Sequence, residues 1–255
     1  MTTLLPRSKP NSPLGRLYAF HHSRRFLWLR DKIGKLPLKT ISILELGCGD
    51  ARSVDYIPLP IEKYIGLDAG MKSGVTNGKA QGLEAARERY GDRQGFYFLL
   101  SAQPDDLAGI EEKFDVVIVL ETFEYLGTAN LEAYISSLAE KLQPHGVLLA
   151  TMPNEKGVPL LAKALGARLS GIPRSRYTAL EFVNAVLGRM NHVPRNERGR
   201  KGFDYVAVVE IIRGHFQRVR LESIFASNLP LAFSPTIGLT ATHAQLASPA
   251  ARGKS

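Results

Sequence analysis

The chain has 255 residues, which at roughly 150 per domain describes one large α/β domain or a core with a small appendage. With 44% hydrophobic residues, 22% charged residues and a mean hydropathy of -0.09, it is neither a disordered polymer nor a membrane bundle. A single cysteine excludes a disulfide framework and a multi-cysteine zinc site, and suggests a reducing compartment, so a cytoplasmic location is expected.

The net charge of +9 is unevenly spread. Residues 1–40 carry +8, residues 41–140 carry -9 and residues 141–255 carry +10. An acidic centre between two basic arms means that the flanks, not the centre, meet any acidic partner. The longest aliphatic run, 116–120, is far shorter than the roughly 20 residues a bilayer demands, so no transmembrane segment is expected. The leader MTTLLPRSKPNSPLGR lacks a continuous apolar core and does not read as a signal peptide.

In chain order, residues 14–33 carry Leu17, Phe20, Phe26, Leu27, Leu29 and Ile33 among arginines and suit a basic amphipathic helix. Short apolar runs follow at 41–46, 64–67, 96–100, 116–120 and 147–150, the pattern of strands covered on both faces. Between them 83–90 and 131–142 read as helices, the second capped by Asn130 and stopped before Pro144. This βαβ alternation predicts a doubly wound sheet with its ligand at the carboxyl ends of the strands. Beyond 154 the strand rhythm lapses. Helices are expected at 158–169 and at 179–190, where Thr178 and Glu181 form a capping box, before the basic tract NHVPRNERGRK at 191–201. A helix at 204–214, strands at 216–221 and 236–242 and a mobile tail at 244–255 complete the chain.

The chemistry concentrates where the first strand ends, in ILELGCGDAR at 43–52. Gly47 and Gly49 let the backbone turn sharply and approach a ligand closely. The dinucleotide fingerprint G-x-G-x-x-G fails here, because its third glycine would fall at Arg52. Glu45 lies within the strand end, and Asp68 closes the second strand, nineteen positions after Gly49. An acid there can accept hydrogen bonds from both hydroxyls of a ribose.

This arrangement resembles the class I S-adenosylmethionine-dependent methyltransferases, particularly the small-molecule subset with E-x-G-x-G after strand one. The resemblance spans residues 41–154 and rests on ILELGCGDAR, YIGLDAG, FDVVIVLETFEYL and LQPHGVLLATMPN, in order and at suitable spacing. It implies a Rossmann-like, mostly parallel sheet with an antiparallel final strand and a helical lid or insertion. It also implies S-adenosyl-L-methionine as cofactor. In the same terms the chain divides into a basic N-terminal helix or lid at 1–40, a cofactor-binding core at 41–154, and a helical substrate-binding insertion at 155–202. A closing helix and strands follow at 203–243.

Carried over from the family, Gly47, Cys48 and Gly49 would lie under the methionine part of the cofactor, with Glu45 supporting that loop or binding the amino group through water. Asp68 would hold the ribose, Ala69 and Gly70 would lie near the adenine, and the Leu120 carbonyl would face the ammonium. This chain departs from the family at Ala51, where many members have glycine, at Tyr125, which replaces a histidine, and at His145, which replaces a glycine. The acidic contact to the adenine amino group aligns two ways, with Ser101 or Asp105.

Cys48 reads as a small buried filler, since no neighbouring His or Lys lowers its pKa. Glu121 and Glu124 read as first-turn acids, His145 as a turn residue, and His21 and His22 as structural or solvent-facing unless the first helix closes over the cofactor. His192, in the polar tract, is the candidate base; Tyr177, Asp204 and Tyr205 are weaker candidates. Arg174, Arg176, Arg189, Arg195, Arg198, Arg200 and Lys201 form either a solvated face or an anion contact.

A sulfonium already makes its methyl carbon electrophilic, so the expected mechanism aligns a nucleophile in line and excludes water, without a metal. The expected acceptor is small, glycan-linked or lipid-linked, and anionic if the basic tract meets it, with O-methylation the leading chemistry. ETFEY after Leu120 is not the Asn/Asp-Pro-Pro-aromatic pattern of enzymes that methylate exocyclic base nitrogens. An RNA methyltransferase using the basic flanks, a non-catalytic interaction module and peripheral contact of the N-terminal helix with anionic lipid remain the alternatives.

Overall fold

A computed structural model describes residues 13–69, 82–101, 103–169, 177–197, 199–226 and 228–244, apart from the side chains of 13–22 and 169. The expectations on Gly70, Arg174, Arg176, Arg198, the His21 and His22 side chains and the tail beyond Ala244 lie outside them.

The chain forms α1 (Pro13–Gly34), β1 (Ile41–Leu46), β2 (Ile61–Asp68), α2 (Leu83–Tyr90), β3 (Phe96–Leu100), β4 (Phe114–Leu120), α3 (Thr128–Glu140) and β5 (Leu142–Pro153). Then follow α4 (Gly157–Leu169), α5 (Ala179–Val186), α6 (Tyr205–His215), β6 (Phe216–Ser223) and β7 (Thr236–Ala244). The sheet order is β3-β2-β1-β4-β5-β7-β6; only β7 runs against its neighbours, as the resemblance implies. The crossover direction reverses between β1 and β4, which opens a crevice beyond their carboxyl ends.

The central strands are buried almost end to end because helices cover both faces. Leu131, Ile135 and Leu138 of α3 join Val208, Val209 and Ile212 of α6 on one face; Phe26, Leu29 and Ile33 of α1 join Leu83 and Ala86 of α2 on the other. In α1 the periodicity misplaces one residue. Leu27 is exposed, while Trp28 is buried because β7 carries Gly238 beneath it, where a Cβ would come within 2.7 Å of the indole. The indole N–H donates to Glu222 of β6 at 2.7 Å, and Arg24 donates to the carbonyls of Ile224 and Phe225 at 3.3 and 2.6 Å.

The other differences are local. Asn130 does not cap α3, which begins two residues before it, after Gly127. α3 ends at Glu140, before Pro144 as expected, and Pro144 itself lies in β5, where Phe114 pairs with Leu142 and Val116 with Val147. The extra residues between those pairs bulge outward, so the missing proline N–H costs no ladder bond. The helix expected to 190 ends at Val186 and gives way to a 3-10 turn at Met190–His192, although the Thr178 and Glu181 capping box is present. Among the described residues no helix is long and apolar enough to cross a membrane.

Trp28→Ala removes the aromatic body that fixes α1 to β7 together with its hydrogen bond. Urea denaturation followed by far-UV circular dichroism is expected to show a loss of about 3–5 kcal/mol, the range for a large core truncation.

Candidate active site

The crevice is built first by the turn that leaves β1. The N–H groups of Gly47 and Cys48 both donate to the Leu67 carbonyl, at 2.7 and 3.0 Å, and the Gly49 N–H donates to Asp68 Oδ2 at 3.0 Å. Gly47 and Gly49 adopt left-handed φ values of 76° and 55°, conformations glycine takes at little cost. A Cβ on Gly47 would lie 2.1 Å from Thr122 Oγ1, whereas one on Gly49 would meet nothing within 4 Å. Gly47 is therefore wedged against the loop after β4, while the backbone at Gly49 faces open space. Ala51 keeps a left-handed φ of 52° without being glycine, and a short 3-10 turn, Arg52–Tyr56, follows it.

Beneath this turn lies Glu45, 3% exposed. Its Oε2 accepts hydrogen bonds from Tyr64 Oη at 2.6 Å and from Ser53 Oγ of the 3-10 turn, so the carboxyl ties the strand end to the chain beyond the glycines. Burial outweighs these bonds and pushes its pKa up to about 7. Cys48 is buried against Gly66, and burial raises its thiol pKa well above the ordinary value, as expected of a filler and not of a nucleophile.

The crevice itself encloses about 250 Å³. Leu46, Gly47, Ala69, Ser101 and Thr122 supply its floor from the ends of β1 to β4; Tyr125, Leu126, Gly127, Asn130, Tyr134 and Glu197 supply its far wall. Of the two alignments for the adenine contact, Ser101 lines the crevice and is 2% exposed, whereas Asp105 lies on an exposed 3-10 turn, Pro104–Leu107. The Leu120 carbonyl closes β4 within 3.2 Å of Thr122 Oγ1.

Beside the crevice Glu121 holds a left-handed φ of 50° and accepts from Arg25 of α1 at 3.1 Å and from Arg200 at 2.8 Å. Glu124 is fully buried, with Arg200 Nε 3.4 Å from its Oε1; burial pushes its pKa up to about 7. These acids therefore anchor arginines and are not solvated first-turn residues. Arg195 donates to the carbonyls of Glu124 and Leu126 at 3.3 and 3.2 Å and lies over the Phe203 ring. Lys201 pairs with Glu181 at 2.7 Å. Arg195 and Arg200 thus fasten the basic tract as a strap over the loop after β4, while Lys201 ties it to α5.

His192 is placed elsewhere. It is exposed on its 3-10 turn and does not line the crevice, so geometry does not bring the expected base to the expected site. His145 is exposed in the β5 bulge. Tyr177 Oη accepts from the Gly202 N–H at 3.3 Å, Asp204 caps α6, and Tyr205 is buried: each has a structural task. Sequence reasoning missed Thr122, Asn130 and Tyr134 in the crevice, Arg25 at Glu121, and Ser53 and Tyr64 at Glu45. Tyr64 alone left a signal, a hydroxyl within an apolar strand that had to find a buried partner.

A doubly wound sheet with a glycine turn, an acid ending the second strand and a crevice at the crossover reversal defines a nucleoside-binding α/β domain. Residues 44–150 match the family model described as "Methyltransferase domain". That segment is a class I S-adenosylmethionine-dependent methyltransferase domain. The Ubiquinone biosynthesis O-methyltransferase of Bartonella quintana (strain Toulouse) is 26% identical over 156 residues, 60% of this chain and 59% of the relative. The chain thus spans under two thirds of the length of that relative. Two solved structures share the fold. The PH0226 protein from Pyrococcus horikoshii OT3 has a TM-score of 0.54 and 14% identity, covering 93% of this chain and 94% of the other. An O-methyltransferase family protein from Burkholderia thailandensis has a TM-score of 0.52 and 14% identity, covering 91% and 60%.

Glu45 and Glu124 bind protons more tightly folded than unfolded, because each has a pKa raised from 4.5 to about 7. The stability they confer is complete below about pH 4.5 and is lost as pH rises through about 7. Glu45→Gln is therefore expected to flatten the fall in unfolding free energy between pH 4.5 and 7, read from chemical denaturation at each pH.

Proposed function

We propose that the protein transfers a methyl group from S-adenosyl-L-methionine to an oxygen of a small-molecule, glycan-linked or lipid-linked acceptor. The observation that carries this reading is the crevice at the ends of β1 to β4, placed within a methyltransferase domain. The naming of the relative as an O-methyltransferase favours oxygen.

The residues present suit the cofactor. At Gly49 the backbone faces space that a side chain would fill, so Gly47, Cys48 and Gly49 cradle the methionine part with their backbone. Asp68, held by the Gly49 N–H, receives the ribose hydroxyls, and Ala69 and Ser101 border the adenine. The Leu120 carbonyl faces the ammonium, and Glu45 acts from beneath by fixing the turn through Ser53 and Tyr64. When bound, the cofactor supplies an electrophilic methyl carbon on a sulfonium.

The protein's own task is alignment and exclusion of water, effects that contribute several kcal/mol to lowering such a barrier. Tyr125 and Leu126 wall the crevice apolar-side, and the strap fastened by Arg195 and Arg200 covers the loop that bears them. At the approach Glu121 engages both Arg25 and Arg200, so these two cations are held within the chain. That engagement favours a neutral acceptor group over an anionic one, and among the described residues it takes Arg25 and Arg200 away from an RNA substrate. Proton transfer is not assigned to His192, which stands outside the crevice.

Asp68→Ala is expected to weaken S-adenosylhomocysteine binding by about 1–3 kcal/mol, the cost of stranding hydrogen-bond partners, with an unchanged circular dichroism spectrum. Unaltered affinity by titration calorimetry overturns the assignment. His192→Ala is expected to leave methyl transfer within about twofold of wild type, since surface changes away from a site stay near ±0.5 kcal/mol; a hundredfold loss would restore it as the base.

A further inference from the structure

The two insertion helices turn apolar stripes outward. Along α4, Leu160 and Ala164 are buried, whereas Val158, Leu161 and Leu165 are exposed at i, i+3 and i+7. Along α5 and its C-cap, Ala185 is buried while Leu180, Val183 and Leu187 are exposed with the same spacing, Leu180 at 72%. These six are nearly half of the thirteen large hydrophobic residues exposed among the described residues, although the helices are only 13 and 8 residues long. The helices share a small core of Leu160 and Ala185 with Phe182 and Val186, so the stripes belong to one folded unit. Apolar surface concentrated in this way marks an interaction site, not chance exposure.

The charges around the stripes identify the partner. Among the described residues from 157 to 189 the cations are Lys163, Arg168 and Arg189 and the one acid is Glu181. Glu181 is turned to Lys201 at 2.7 Å and to the Thr178 N–H at 2.7 Å, while Lys163 answers Glu155 at 2.9 Å. Arg168, in the last turn of α4, and Arg189, just beyond α5, are exposed. Apolar side chains flanked by arginines match acyl chains under anionic headgroups. A second copy of the chain would set these cations against their own kind, which disfavours self-association through this surface.

We propose that α4 and α5 form a docking surface for an anionic lipid bilayer. The placement serves the crevice. α4 leaves the carboxyl end of β5, and the strap after α5 contributes Glu197 to the crevice wall, so docking brings the acceptor side of the domain to the bilayer. The docking itself does not depend on the methyl-transfer reading; it narrows that reading to a lipid-linked acceptor.

The test sediments the full chain with vesicles of phosphatidylcholine alone and of phosphatidylcholine with about a third phosphatidylglycerol. The wild type is expected to partition onto the anionic vesicles only, with binding weakened by high salt. The double variant Leu165→Glu, Leu180→Glu changes exposed positions, so its melting curve is expected to match wild type while its partitioning falls at least tenfold. The pair Arg168→Glu, Arg189→Glu is expected to lose anionic-vesicle binding as well. Absence of wild-type binding, binding that survives both double variants, or a wild-type dimer that Leu165→Glu and Leu180→Glu dissociate in analytical ultracentrifugation overturns the proposal. S-adenosylhomocysteine binding by the same preparations separates the two readings: its absence removes the methyl-transfer reading and leaves the vesicle result intact.

Discussion

Three backbone N–H groups stitch the turn after β1 to the end of β2, and the crevice exists because of them. Gly47 and Cys48 share one carbonyl, that of Leu67, and Gly49 reaches the side-chain carboxylate of the residue after it, Asp68. Only a chain free to adopt positive φ at both glycines can aim three successive donors at two adjacent acceptors. Because β1 and β2 are parallel neighbours in a sheet buried on both faces, this junction cannot drift without disturbing the core. The opposite wall is set by the same junction, since Gly47 lacks a side chain that would collide with Thr122.

A second constraint acts at the end of β4. Glu121 is held in a left-handed conformation that costs a non-glycine residue about 1–2 kcal/mol. Two guanidinium groups compensate, one from α1 and one from the strap, through charge-assisted bonds stronger than neutral ones. One carboxylate thus joins three segments distant in sequence, and the buried Glu124 beneath it shares Arg200. Arg25 and Arg200, one from each basic flank, here complete the fold by meeting an acid of the centre within the same chain.

The sheet was legible because parallel strands buried on both faces leave a run of apolar residues that no surface element imitates, as at 116–120 within β4. The glycine turn and Asp68 were legible for a related reason: backbone that must bend at positive φ and a carboxylate that must meet the Gly49 N–H admit few residue types. What escaped were features made by tertiary contact. Trp28 is buried instead of Leu27 because Gly238 lies under it, more than two hundred residues away. Pro144 sits in a strand because a bulge removes the need for its N–H. The inward course of Arg195, Arg200 and Lys201 follows from acids and carbonyls on other elements, which charge counting along one tract cannot locate. His192 suited its role by type and position in sequence, but a 3-10 turn in place of the last part of a helix leaves it facing solvent.

The insertion between β5 and α6 leaves and re-enters the sheet at neighbouring points, and Lys156 and Asp204 join those points at 2.7 Å. Asp204 also caps α6 by accepting from the Val206 N–H. With its two stems clasped, the intervening loop is closed once, and lengthening it adds little further entropy cost because closure grows only with the logarithm of loop length. The excursion can thus vary in length at little entropic cost so long as Arg195, Glu197 and Arg200 keep their places at the loop after β4 and the crevice.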